Sequence, residues 1–368
     1  MNRRLYIVVR IFCIAAFFSV ATGVRAHPMW GIAVDRSGQV YFSDLKTVWR
    51  IDVRGKLSAF RPRGDGHVHE LNVDEQGNVY GAENIYEPAT KRFISAIWKM
   101  TPEGDSSYLV APTDNPPKGT SIWKDRGGNS YLITRFPGES LLVLKKPANG
   151  NVVPLMGSDK ALRDFRQGVP HGVGGVAIGP DGAIYFVNRA DVNRLEPNGR
   201  VKPLILNIAV ENSPGNPPTS LYGIALDAQG NPVVADYGNR RVFRIEPDGR
   251  IATLLRAEEQ WFPTGVAVRG NDFYILEYGH TPTHQSLGTR VRKISADGKI
   301  TTLAVVGESG ATSDAPSNEG NRTADAREIA TSRQSILLAA FAALAVFASP
   351  IVVLYIRHRM NPGRYRAT

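Results

Sequence analysis

Cysteine is nearly missing from this chain: Cys13 is the only one, and it lies in an apolar leader. A lone thiol forms no intrachain disulfide, and Phe12 before it is a poor fit to a lipoprotein acylation box. Once the leader is removed, no thiolate ligand or nucleophile remains. The sequence also lacks a phosphate-cradling GxxxxGK[ST] loop, a GxSxG elbow and a CxxC pair. Phosphoryl transfer, serine hydrolysis and thiol redox chemistry therefore have no support. Acidic residues are missing from both ends, with none before His27 and none after Ile356. The formal net charge of +10 thus owes much to Arg3, Arg4, Arg10 and Arg25 at one end and Arg357, Arg359, Arg364 and Arg366 at the other. Setting these aside leaves about +2 for everything between, too little for the basic stripe that nucleic acid requires.

The two ends carry the long apolar runs. Residues 1–26 read as a secretory signal, with Arg3 and Arg4 before an apolar Ile11–Val24 and small residues around Val24-Arg25-Ala26 for cleavage. Residues 335–356 are almost wholly apolar, broken only by the polar Ser335 and by Ser349-Pro350, and about 20 such residues cross the ~30 Å hydrocarbon layer as one helix. The basic segment 357–368 then stays in the cytoplasm. Residues 307–334, rich in Ser, Thr, Ala, Asp and Gly without apolar periodicity, read as a flexible linker. The expectation is a single-pass cell-membrane protein whose part 27–306 lies outside the cytoplasm, in a periplasm or beyond the cell.

That central part is a repeat. A Gly-centred turn between apolar runs recurs as "DRSGQVYF" from Asp35, "DEQGNVYG" from Asp74, "DRGGNSYL" from Asp125, "GPDGAIYF" from Gly179, "DAQGNPVV" from Asp227 and "RGNDFYI" from Arg269. A second turn follows each, as "DVRGKL", "TPEGDS", "PANGNV", "EPNGRV", "EPDGRI" and "SADGKI", before a further β-rich run. Four antiparallel strands every ~40–50 residues predict a β-propeller blade. The sequence thus reads as all-β, a six-bladed propeller with blades at 28–62, 68–112, 119–156, 172–206, 220–257 and 262–306, followed by one transmembrane helix. Lys124 occupies a normally apolar slot in the third.

"GIAVDRSGQVYFSD", "GVAIGPDGAIYFVN" and "GIALDAQGNPVVADYGNRRVFRIEPDGR" resemble NHL-type repeats within the six-bladed TolB-like propellers. The resemblance covers about residues 28–306 and implies architecture more than activity, because such propellers serve as protein scaffolds, RNA binders, lactonases and an amidated-peptide lyase. Gluconolactonase-type relatives place a carboxylate and two Asn at the inner starts of strand a. Here those positions are Trp30, His69, Thr120, Gly174, Tyr222 and Thr264, with no Asn, which argues against a calcium lactonase, although Glu70 adjoins His69. The amidating lyase holds zinc through histidines of different blades, which His69, His171 and His280 could imitate.

Insertions crowd one face, that of the b–c loops and the links into strand a, and His27, His67, His69, His171, His280 and His284 map there. His69, His171 and His280 are the candidate ligands of a divalent cation, zinc or calcium, with Glu83 and Glu277 as candidate general bases. Asp44, Glu83, Thr134, Asn188, Asp236 and Glu277 align at the ends of strand b. Trp30, Tyr222, Tyr237 and Tyr278, joined by Trp261, offer flat apolar faces with polar tips, and Arg135 and Arg189 offer anion-binding forks. This mixture suits a small molecule, a glycan or a peptide. The expected function is a membrane-anchored binding propeller, its partner such a ligand or an envelope protein. The alternative is a metal-dependent hydrolase or lyase working at the same mouth.

Overall fold

Six antiparallel sheets account for the strands of the structure, a computed structural model that describes residues 29–114, 121–124, 128–135, 141–156, 174–211, 218–283, 285–307 and 312–313. Blade 1 is β1 (Ile32–Val34), β2 (Val40–Ser43), β3 (Val48–Ile51) and β4 (Leu57–Arg61); blade 2 is β5 (His67–Val73), β6 (Val79–Glu87), β7 (Arg92–Met100) and β8 (Ser106–Thr113). Blade 3 keeps β9 (Ser130–Arg135), β10 (Leu141–Lys146) and β11 (Val153–Met156), its inner strand reduced to an isolated bridge between Lys124 and Ser130. Blade 4 is β12 (Val176–Ile178), β13 (Ile184–Asn188), β14 (Asp191–Leu195) and β15 (Val201–Ile205). Blade 5 is β16 (Leu221–Leu226), β17 (Pro232–Asp236), β18 (Arg241–Ile245) and β19 (Ile251–Arg256). Blade 6 is β20 (Trp261–Arg269), β21 (Asp272–His280), β22 (Ser286–Ile294) and β23 (Ile300–Val306), with a short β24 (Thr312–Ser313) added at its outer edge. The expected signal segment, membrane helix and basic tail lie outside the described residues, as does His171, and no helix occurs among those described.

The turns form for local reasons. Asp35 Oδ1 accepts from the amides of Gly38 (2.8 Å) and Gln39 (2.9 Å), and Asp227 Oδ1 does the same for Gln229 and Asn231. Gly38 and Gly230 supply the left-handed backbone at φ +97° and +83°. A second periodic feature lies in the strand pairing. In all six blades the third and fourth strands shift register at an equivalent place, Val48/Trp49, Ile97/Trp98, Val143/Leu144, Val192/Asn193, Val242/Phe243 and Val291/Arg292, and blade 2 has a second shift at Ser95/Ile97. Such bulges sharpen the twist, as the outer strand of a blade requires.

The core lies between blades rather than within them. Six buried clusters fill the six junctions, for example Tyr41 and Phe60 of blade 1 against Trp98 and Met100 of blade 2, or Val187 of blade 4 against Val234 and Phe243 of blade 5. Full burial of a side chain such as Phe42 stabilises by roughly 1.5–3 kcal/mol. The ring closes where Met29, Ile32 and Phe42 of blade 1 meet Leu276, Tyr278 and Val291 of blade 6. Among the described residues no strand is exchanged between the first and last blades, as the repeat pattern predicts.

At the axis the inner strands nearly touch. A Cβ on Gly223 would stand 2.7 Å from Gly265 Cα and 2.9 Å from Val266 N, and one on Gly265 would stand 2.7 Å from the Trp30 carbonyl oxygen. Glycine fills this position in blades 1, 4, 5 and 6, at Gly31, Gly175, Gly223 and Gly265. Blade 2 carries Glu70 there and blade 3 carries Ser121.

Candidate ligand-binding mouth

Just before that glycine ring, each inner strand begins on the face opposite the tight turns. Two backbone bonds between neighbouring blades fix the important starts: Trp30 N donates to His69 O (3.2 Å), and Gly175 N to Tyr222 O (2.6 Å). Between Tyr222 of blade 5 and Trp30 of blade 1 stands Thr264, wholly buried, its hydroxyl bonded to Leu276 O. Thr264 is small enough to let the rings on either side of it meet, and Trp30 stacks on Tyr222 with centroids 5.8 Å apart.

From that pair an aromatic wall runs both ways. Trp30 faces His69 at 5.6 Å, and His69 faces His67 at 6.0 Å. On the other side Tyr222 meets Tyr237 edge-on at 5.5 Å, Tyr237 stacks on Phe262 at 4.8 Å, and Phe262 lies parallel to His280 at 4.2 Å. Tyr278 completes it, 5.9 Å from His280. Four blades contribute, and the rings of Trp30, His69, Tyr222, Tyr237, Phe262 and His280 all remain partly exposed. Below them a channel of about 350 Å³ runs between the inner strands, lined by Trp30, Trp123, Lys124 and the apolar residues of β1, β12, β16 and β20.

Two hydrogen-bonded groups give this wall its polar character. His280 Nδ1 lies 3.1 Å from the Thr281 carbonyl, which can only accept, so in the neutral ring the proton sits on Nδ1. Nε2 is then an acceptor, and the Tyr237 hydroxyl donates to it at 2.9 Å. Burial, reinforced by Tyr222 and Tyr278, pushes the Tyr237 phenol up to about 12, so it remains a donor at neutral pH. The second group is Glu70. Burial pushes its carboxyl from 4.5 up to about 7, opposed by the indole N–H of Trp123, 3.0 Å from Oε2, and by that of Trp30, which makes no hydrogen bond of standard geometry. Glu70 keeps some accessible surface, but protein surrounds it densely enough for desolvation to dominate.

The carboxylates aligned at the ends of strand b are engaged otherwise. Asp44 accepts from the amides of Lys46 and Thr47 and from the Trp49 indole. Glu83, the first candidate base, is buried in a two-pronged ion pair with Arg61 of blade 1 (2.9 and 3.2 Å). Glu277, the second, is fully buried between Arg290 (2.7 Å) and Arg292 (2.5 Å). Asp236 binds Thr219, Asn239 and Arg241. These groups hold the loops and blades together.

Of the expected ligand-binding residues, Trp30, Tyr222, Tyr237 and Tyr278 are brought together. Trp261 is not in the wall; its ring lies under the Arg290 guanidinium at 4.3 Å. Arg189 is exposed in the β13–β14 turn with left-handed backbone, φ +54°, and the side chain of Arg135 lies outside the described residues. Of the three candidate metal ligands, His69 and His280 stand in the aromatic wall and His171 is not described. Among the described residues no three His, Cys, Asp or Glu are grouped so as to hold a metal ion. Phe262 and Trp123 were not anticipated. Phe262 precedes the aligned start of its strand by two residues, and Trp123 belongs to the blade with the most degraded inner strand.

No family model and no curated protein matches the chain. Similar solved structures include a streptogramin B lyase, 17% identical over 79% of this chain and 91% of that one, with a TM-score of 0.47. A virginiamycin B lyase from Staphylococcus aureus is 16% identical over 74% and 83%, TM-score 0.42. A gluconolactonase from Xanthomonas campestris is 13% identical over 67% and 81%, TM-score 0.45. At such identities the likeness concerns architecture and says nothing of activity.

Proposed function

We propose that the protein is a binding propeller, tethered to the membrane and facing away from the cytoplasm, that receives a small ligand at its aromatic mouth. The observation that carries this reading is the unbroken, partly exposed wall from His67 through Trp30, Tyr222, Tyr237 and Phe262 to His280, set over the end of the axial channel. A folded chain gains nothing from leaving that many rings half in water, and flat faces with polar tips suit a ligand that is part apolar. The tether rests on the sequence alone, through residues 335–356 and the arginines that follow.

A hydrolase or lyase working at the same mouth is a second reading, favoured by one observation: the Tyr237–His280 pair places a proton donor and an imidazole beside the space a ligand would fill. Saturation-transfer NMR on the full-length chain in detergent, with a mixture of aryl compounds, monosaccharides and alkylamines, tests the binding reading. Some of these should bind the wild type and be lost from Trp30→Ala. Equal binding to both proteins would remove the mouth from consideration. Protease added outside intact cells should digest the propeller, and a protected propeller would overturn the proposed orientation.

A further inference from the structure

The carboxylates near the mouth differ in what balances their charge. Glu83 holds Arg61, Asp236 holds Arg241, and Glu277 holds Arg290 and Arg292. Glu70 has no such partner among the described residues; its hydrogen-bond donor is the neutral indole of Trp123. It also stands where four other blades have glycine, so blade 2 places a long acidic side chain at a point where the fold itself asks for none.

No ion pair to Glu70 occurs among the described residues. On its own strand are His67 and His69, whose rings join the aromatic wall. On β6 is Glu83, already paired with Arg61. From blade 3 come Trp123 and Lys124, whose ammonium is drawn over the Tyr80 ring at 5.7 Å. From blade 1 comes Trp30, and beyond it the neutral Tyr222. A carboxyl with no counter-charge among the described residues, held at the indole N–H edges of Trp123 and Trp30 and next to the stacked Trp30 and Tyr222 rings, can receive an organic cation through the charge on one side and the π quadrupole of the wall on the other.

We propose that the ligand of this mouth carries a positively charged nitrogen, an alkylammonium group, bound against the Trp30–Tyr222 wall with the Glu70 carboxylate as its counter-charge. This rests on the ligand-binding reading above and specifies its ligand class. A bound cation would favour the ionised carboxylate, so binding the cation and releasing the Glu70 proton are linked. Affinity for an ammonium should therefore rise with pH until Glu70 is fully ionised and then level off.

The test uses the full-length chain in detergent and three probes of similar size: benzyltrimethylammonium, neutral benzyl alcohol and benzoate. Calorimetric titrations are run at about pH 6 and about pH 8, on either side of the Glu70 titration. The ammonium should bind about tenfold more tightly at the higher pH, as the ionised fraction of the carboxyl rises by about that factor. Glu70→Gln should weaken ammonium binding at least about tenfold at the higher pH and abolish its pH dependence. Benzyl alcohol should bind wild type and variant alike, which shows that the aromatic wall is intact. If benzyl alcohol binds but the ammonium binds no better, or binds the variant equally well, the cation inference is wrong while the mouth stands. Tighter binding of benzoate would also overturn it. If none of the probes binds, the mouth and the inference fall together.

Discussion

Replacing Glu70 by glutamine should stabilise the protein, and by an amount that depends on pH in a defined direction. In the unfolded chain this carboxyl ionises near 4.5, and in the folded chain at about 7, because burial outweighs the help of Trp123 and Trp30. The folded state therefore binds the proton more tightly. Its stability contribution is complete below about pH 4 and is lost as pH rises from 4.5 through about 7. At about 1.4 kcal/mol per pH unit, the carboxylate costs the fold about 3 kcal/mol above about pH 8. Glutamine keeps an oxygen for the Trp123 indole and carries no charge at any pH. Urea unfolding followed by tryptophan fluorescence should show wild type and Glu70→Gln nearly equal at about pH 4, with the variant more stable by about 3 kcal/mol at about pH 8. The other titrating groups are common to both proteins and cancel. A difference independent of pH, or a variant less stable at the alkaline end, would refute the assignment of Glu70 as a desolvated, uncompensated acid.

Arg61→Met should cost about 3–5 kcal/mol by leaving buried Glu83 without its counter-ion, and the double variant with Glu83→Leu should recover most of that in the same urea assay. A loss below about 1 kcal/mol for the single variant would mean that the pair is hydrated and marginal. Gly223→Ala should lower stability by about 1–3 kcal/mol, since its Cβ would meet the backbone of Gly265 and Val266. A neutral result in thermal melts would show that the inner strands are free to move apart. Deleting residues 262–306 uncovers the apolar junctions on both sides of blade 6 and should leave aggregated or unfolded material. A monodisperse product with a cooperative melt would contradict the six-membered ring.

The blades were readable because each rests on two turns with Gly and Asp or Pro at fixed places, which are local requirements. Ring closure between blades 1 and 6 followed from counting whole repeats. The recurrent bulges have a signal in the repeats, a β-branched residue followed two positions on by Arg or Lys, as in Val48 and Arg50, Ile97 and Lys99 or Val242 and Arg244, but nothing in that pattern by itself calls for a shift of register. Half of the mouth was legible: the column that begins strand a held Trp30, His69 and Tyr222. The roles of Glu83 and Glu277 were not, because their partners come from elsewhere, Arg61 from another blade and Arg290 and Arg292 from the next strand. A carboxylate aligned at a mouth looks available until the arginine beside it is seen. Glu70 shows the reverse. Its departure from the glycine column can be read from the aligned repeats, but its burial and its hydrogen bond from Trp123, delivered by an inner strand reduced to one bridge, cannot.

Crystals of the propeller soaked with a diverse set of small aryl and alkylammonium fragments would test the account most directly. The ligand-bearing surface should be the wall of Trp30, Tyr222, Tyr237 and Phe262, with fragments recurring there and ammonium groups turned toward Glu70. Fragments that gather instead at the opposite mouth, about 380 Å³ between Lys124, Gly179 and Gln229, and leave the aromatic wall empty would contradict it.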